Sequence, residues 1–97
     1  MKILIQHEHN ASHYIYTGLL NAFNEMGHSC QFWQPKLMPA FDAFDLFEPD
    51  LFIGQGYNLD RAILKCIKIR PKMKILLKVG CHGDVGHDVD TEKYPIL

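Results

Sequence analysis

The feature that most constrains this chain is a regular alternation of short apolar runs with segments of helical periodicity. Four runs are too short for helices and are bounded by polar residues, as buried strands are: 2–6, 30–33, 51–54 and 74–79. Strands that alternate with helices predict right-handed βαβ crossovers and a parallel sheet with helices on both faces. The 97 residues are therefore predicted to form a single α/β domain over 1–97.

The segments between the runs carry the start and stop residues of helices. Asn10 or Ser12 can cap the first helix, and Gly27 ends it. Asn58 can cap the third helix, and Pro71 ends it. The first helix has apolar residues at helical spacing, which we expect to face the core: Ile15, Leu19, Ala22, Phe23 and Met26.

The second predicted helix is short and aromatic. Pro39 suits its first turn, because a fixed φ and a missing N–H cost little there. Phe41, Phe44 and Phe47 fall three residues apart and give the segment one apolar face. This spacing predicts that the three rings pack into the core.

Four strands of this kind can be ordered 3-2-1-4 or 2-1-3-4 in the sheet. We favour 2-1-3-4, because the second run is weak and edge-like while the first and third are typical of central strands. The hydrophobic residues of these strands need cover on both sides. We therefore expect two helices on one face of the sheet and one on the other.

Composition excludes several classes of protein. Ten basic and eleven acidic residues give a net charge of −1, so the chain has no overall electrostatic footprint for nucleic acid or an anionic membrane. No apolar run approaches the roughly 18 residues of a membrane span. Three widely spaced cysteines, Cys30, Cys66 and Cys81, suggest neither a disulfide framework nor a zinc motif, which favours a cytoplasmic location.

The basic residues are unevenly distributed along the chain. Seven of the ten lie between 61 and 78, and Arg61, Lys65 and Lys68 share a helix face opposite the apolar one. Few aromatic residues interleave with them. A solvated exterior is therefore favoured over the alternative, an anion or nucleic-acid surface.

Ligands of open parallel sheets bind outside the carboxyl ends of the strands, where the strand order reverses. Three polar loops are predicted to meet there, at 6–10, 55–58 and 80–84, and four of the six histidines lie in or beside the first and third. The candidate site consists of His7, His9, Asn10, Gly54, Gln55, Gly56, Tyr57, Asn58, His82, Gly83 and Asp84.

Better-known motifs do not account for these loops. Gly54-Gln55-Gly56 begins a dinucleotide fingerprint, but Leu59 stands where the third glycine belongs. The features of a Walker loop, a flavin-phosphate site and a phospho-receiver domain are missing. Imidazole and carboxylate groups would suit zinc, manganese or iron, but the sequence lacks HExxH on a helix. We therefore predict no metal and no cofactor, and loop histidines that face solvent.

Three stretches together resemble a known family: MKILI with the later NEMGHSCQFW, then FDLFEPDLFIGQGYN, and finally RPKMKILLKVGCHGD. They resemble the N-terminal Rossmann-like domain of GT-B-fold glycosyltransferases, in particular the spore-maturation-protein group. In those enzymes a helix ending in "GH" leads into the second strand, and a "PD" precedes the third. The resemblance covers nearly the whole chain.

The resemblance implies a function and its partners. The N-terminal domain of such an enzyme holds the sugar acceptor, and a C-terminal domain outside this chain holds most of the nucleotide-sugar donor. The chain would then be half of a two-domain transferase and inactive alone, with His82 or His7 as the base or sugar-positioning group. The alternative is a non-catalytic ligand-binding or regulatory module on a flavodoxin-like scaffold. Nucleic acid is not an expected partner, and a homo-oligomer stays open.

Overall fold

A computed structural model describes residues 1–7, 13–55 and 59–78. Within these ranges strands and helices alternate: β1 (Lys2–Gln6), α1 (His13–Glu25), β2 (Ser29–Trp33), α2 (Ala40–Phe47), β3 (Leu51–Gln55), α3 (Arg61–Lys68) and β4 (Lys74–Lys78). The strands form one parallel sheet in the order β2-β1-β3-β4. The predicted α/β fold and the 2-1-3-4 order are confirmed.

Strand β1 is a central strand of the sheet, with a neighbouring strand on each side. It pairs with β2 from Lys2↔Ser29 onward, and on its other side with β3 from Ile3↔Leu51 to Ile5↔Ile53. The chain runs outward from β1 to β2, then crosses back over β1 to β3. The strand order therefore reverses between β1 and β3, which makes the carboxyl ends of these two strands the expected place for a ligand.

The sheet separates two hydrophobic cores. Helix α1 covers one face, where Ile3, Ile5 and Ile53 pack around the buried Tyr16. Helices α2 and α3 cover the other face, where Leu4, Phe52 and Leu77 pack among their side chains. The expected distribution of one helix on one face and two on the other is therefore confirmed.

An aromatic cluster fills the core beneath α2. The rings of Phe44 and Phe52 meet edge to face with centroids 4.9 Å apart, and the ring of Trp33 lies 5.9 Å from that of Phe44. The indole N–H of Trp33 donates a hydrogen bond of 2.8 Å to the carbonyl of Met38, so its polar atom is satisfied. The cluster joins β2, α2 and β3.

Two of the predicted helix faces are wrong in part. Among the described side chains of α1, Tyr16 is buried while Ile15 and Ala22 are exposed, and Met26 is exposed just beyond the helix. In α2 Phe44 is buried but Phe41 is exposed. The core-facing side of α2 is formed by Ala40, Ala43 and Phe44, with Phe47 packed beside them. Because an α-helix turns by about 100° per residue, Phe41 lies well away from the middle of this set.

The cap of α3 also differs from the prediction. Asp60 is the N-cap residue, and its carboxylate accepts a hydrogen bond of 2.9 Å from the backbone N–H of Ile63. Asn58, the predicted cap, lies outside the described residues. Asp60 is the better-placed cap because the helix begins at Arg61.

Asp50 joins the amino ends of three strands. Its carboxylate accepts a hydrogen bond of 2.8 Å from the backbone N–H of Lys2, and its own N–H donates to the Lys2 carbonyl at 2.7 Å. Its carbonyl accepts from the N–H of Lys74 at 2.9 Å. The aspartate of the "PD" sequence thus holds the end of the sheet opposite the candidate site.

Candidate functional site

Two buried glutamines connect β1 and β3 at the point where the strand order reverses. Gln6 ends β1, Gln55 ends β3, and both side chains are 0% exposed. The backbone N–H of Gln55 donates to Gln6 Oε1 at 2.9 Å, and Gln55 Nε2 donates to the Gln6 carbonyl at 3.0 Å. We refer to these two residues as the glutamine pair.

The glutamine pair forms hydrogen bonds between β1 and β3 at the point where the backbone pairing of the two strands ends. The β1–β3 register runs as far as Ile5↔Ile53, beyond which the chain leaves the two strands towards opposite faces of the sheet. Buried backbone groups left without partners would cost about 1–3 kcal/mol each. The long amide side chains reach across and satisfy them.

One atom of the pair retains hydrogen-bonding capacity. Gln55 Oε1 is buried, and no described residue donates a hydrogen bond to it. Its position is set by the amide group itself, since Nε2 donates to the Gln6 carbonyl and Oε1 must be the other arm. A buried amide oxygen at the carboxyl end of a central strand is an acceptor for an O–H or N–H group.

His7 follows directly after Gln6 and lies at the same edge. Its backbone N–H donates to the Trp33 carbonyl at 2.8 Å, which continues the pairing with β2 by one residue. Its imidazole is half-buried, with its centroid 4.6 Å from the ring of Phe32 and 6.0 Å from that of Tyr16. These contacts place the imidazole on the α1 side of the sheet.

Gln55 belongs to the same side of the sheet as His7. Ile53 packs in the core beneath α1, and strand side chains alternate, so the residue two positions later faces the same way. The same alternation runs from Ile5 to His7. Among the described residues, the predicted site residues His7 and Gln55 are therefore neighbours on adjacent strand ends.

Gly54 has a packing role in this arrangement. A Cβ at this position would lie 2.8 Å from Phe52 Cε2 and 3.1 Å from Leu59 Cδ2. Gly54 is one of the predicted site residues. The structure shows that the aromatic core on the α3 side already leaves no room for a side chain.

The other predicted site residues lie outside the described residues: His9, Asn10, Gly56, Tyr57, Asn58, His82, Gly83 and Asp84. Gln6 was not among the predicted site residues. The sequence feature that could have indicated it is a glutamine at the end of each of the two central apolar runs, KILIQ and LFIGQ.

The described cysteines do not contribute reactive groups to this edge. Cys30 is buried beneath α1, and burial raises its pKa from the ordinary value of 9.0 to about 11. Cys66 is buried in the opposite core, where burial also raises its pKa, against a smaller opposing effect of the Arg70 charge. Both thiols are therefore held in the neutral form, which is a poor nucleophile.

Two further findings concern the described residues as a group. No three of their His, Cys, Asp or Glu side chains lie close enough together to hold a metal ion. None of their helices is long and apolar enough to cross a membrane.

A cavity lies elsewhere on the sheet. It has a volume of about 480 Å³ and opens between β2 and α2, with Leu4 and Gln31 on one side and Ala43, Leu46 and Phe47 on the other. No residue of the predicted site lines it. The polar strand ends and this cavity are therefore separate features.

No protein-family model, curated protein or solved structure was found to match the chain. The features of the chain that bear on its function are the fold, the glutamine pair and the residues beside it.

Proposed function

We propose that this chain binds a hydroxyl-bearing ligand at the carboxyl ends of β1 and β3, as the acceptor-side domain of a glycosyltransferase. The observation that carries the proposal is Gln55 Oε1, a buried acceptor without a described donor at the point where the strand order reverses. Buried polar atoms in native proteins almost always have a partner, and a ligand hydroxyl would supply one.

The neighbouring imidazole supports the same kind of ligand. An ordinary histidine has a pKa of about 6.5, so a neutral ring can accept a proton from a hydroxyl group near pH 7. His7 lies on the same side of the sheet as Gln55, on the adjacent strand. A sugar hydroxyl held by Gln55 would then have a candidate base beside it, as the resemblance to glycosyltransferases implies.

The binding part of the proposal can be tested by NMR on the ¹⁵N-labelled chain, titrated with monosaccharides and nucleotide-sugars. The side-chain amide of Gln55 reports directly on its own hydrogen bonds. We expect chemical-shift changes at 5–7 and 53–55, and loss of binding in Gln55→Met. Gln31→Met, on an exposed position of β2, is the matched control and should bind as the unmodified chain does.

A melting curve of each variant separates lost binding from lost folding. Unchanged affinity in a folded Gln55→Met variant would contradict the proposal, as would shift changes confined to another surface.

The transfer part requires the full-length protein, with turnover of nucleotide-sugar donors as the readout. We expect His7→Ala and His82→Ala each to lower turnover strongly without changing the melting temperature. Full activity in both variants would contradict their roles. Sugar binding at the strand ends with no transfer to any acceptor would favour the alternative, a non-catalytic binding module.

A further inference from the structure

The exposed side of α3 is basic, with one acidic residue, the exposed N-cap Asp60, directly before it. Arg61, Lys65 and Lys68 are exposed, while Ile63, Cys66 and Ile67 on the other side of the helix are buried. Lys72 continues the exposed row just beyond the helix. We call Arg61, Lys65, Lys68 and Lys72 the basic face. The sequence from 61 to 78 contains seven basic residues and no acidic one.

The charges of the basic face are not neutralised by described acidic groups. Among the described side chains of this segment, Arg70 has an acidic partner, since its guanidinium lies 2.6 Å from the carboxylate of Asp45 and over the ring of Phe44. No ion pair within 1–7, 13–55 and 59–78 involves the four residues of the basic face. Their positive potential is therefore directed to whatever lies outside the helix.

An exposed aliphatic side chain borders the basic face. Ile69, directly after Lys68, is 62% exposed. Its chain neighbour Arg70 is joined to Asp45 of α2 by the ion pair. Ile69 therefore lies at the end of α3, beside the lysines of the basic face.

We propose that the basic face binds the surface of an anionic lipid bilayer, with Ile69 inserted at the headgroup level. Clustered lysine and arginine side chains attract anionic headgroups, and an aliphatic side chain beside them adds burial in the interface. The α3 side would face the bilayer, because α2 exposes the acidic Asp42. The net charge of −1 makes this attraction local and dependent on orientation.

The same observations argue against nucleic acid as the partner. Single strands are held by aromatic stacking as well as by charge. The segment 61–78 contains no aromatic residue. The proposal is independent of the ligand site, since no residue of the basic face belongs to the glutamine pair or to the strand ends beside it.

The test is co-sedimentation of the chain with vesicles. We expect binding to phosphatidylcholine vesicles that contain phosphatidylglycerol, no binding to phosphatidylcholine alone, and weaker binding as salt concentration rises. Lys65→Glu combined with Lys68→Glu should lower the partition coefficient about tenfold or more. Ile69→Ser should weaken binding without changing its salt dependence.

Lys36→Glu is the control for the charge of the whole protein, because Lys36 is exposed in the loop between β2 and α2. It should leave vesicle binding within about twofold of the unmodified chain. All these positions are exposed, so each variant should keep its melting temperature. Equal loss in Lys36→Glu, equal binding to both kinds of vesicle, or binding of an RNA or DNA oligonucleotide but not of vesicles would overturn the proposal.

Discussion

The side chain of Asn24, on α1, holds both backbone hydrogen-bonding groups of Cys30. Asn24 Oδ1 accepts from the Cys30 N–H at 3.0 Å, and Asn24 Nδ2 donates to the Cys30 carbonyl at 3.3 Å. Ser29 and Trp33 direct their backbone groups towards β1, so Cys30 directs its own to the outer edge of the sheet. The asparagine amide therefore occupies the place of a neighbouring strand and protects an edge that carries no charged residue.

Replacing Asn24 should expose this edge. Asn24→Ala removes both hydrogen bonds, and we expect the free energy of unfolding to fall by about 1–3 kcal/mol, with increased self-association. Urea denaturation and light scattering measure the two effects. Asn21→Ala, at an exposed position of the same helix, is the control and should be neutral or slightly stabilising. Equal effects of the two substitutions would contradict the protective role.

Each side chain of the glutamine pair should contribute separately to stability. Gln6→Leu leaves the backbone N–H of Gln55 without its acceptor, and Gln55→Leu leaves the Gln6 carbonyl without its donor. Each single variant should lose about 1–3 kcal/mol of stability. The double variant should lose about the sum of the two, because each side chain bonds a backbone group that the other substitution leaves in place. A double-mutant cycle of denaturation energies with a large departure from additivity would contradict this.

The two faces of α2 should respond very differently to the same substitution. Phe44 is 0% exposed and contacts Trp33 and Phe52, whereas Phe41 on the same helix is 43% exposed. Phe44→Ala should cost about 3–5 kcal/mol, and Phe41→Ala no more than about 1 kcal/mol. Chemical denaturation gives both values. Similar losses in the two variants would mean that the helix is rotated relative to the present structure.

Stability should fall at alkaline pH. The pKa of Cys30 is raised from 9.0 to about 11, so the unfolded chain loses this proton at lower pH than the folded chain. Between these values the folded state binds more protons than the unfolded state, and the free energy of unfolding decreases as pH rises. A shift of this size corresponds to at most about 3 kcal/mol.

The control for this prediction is Cys30→Ala, measured by denaturation over the same pH range. Other groups titrate there too, so the expected result is a shallower loss of stability in the variant. An identical pH profile would show that the Cys30 thiol does not contribute.

Much of the fold could be predicted because it depends on patterns within short segments. KILI, LFIG and KILL are too short and too apolar for anything except buried strands, and β1, β3 and β4 begin at the predicted residues. The strand order followed from the uneven hydrophobicity of the runs, since β2 exposes Ser29 and Gln31 as an edge strand can. The spacing of apolar residues was a poorer guide to which face of each helix is buried, since Tyr16 faces the core in place of Ile15.

For the candidate site, the sequence predicted the edge of the sheet at which it lies but not the contacts between its side chains. His7 and Gln55 were expected at one edge because parallel strands deliver their carboxyl ends to the same side of the sheet. That Gln6 and Gln55 exchange hydrogen bonds was not predicted, because the two are 49 residues apart. Their contact depends on how two strands diverge after Ile5 and Ile53.

The sequence by itself therefore determined the elements, the order of the strands and the edge at which polar residues collect, because each follows from local periodicity or chain direction. Only the tertiary structure decided which side chains meet: Asn24 with Cys30, Gln6 with Gln55, and Phe44 in place of Phe41 with Phe52. The physical reason is that such contacts depend on the rotation of each helix about its axis and on the local separation of strands. Both are set by packing between segments distant in sequence.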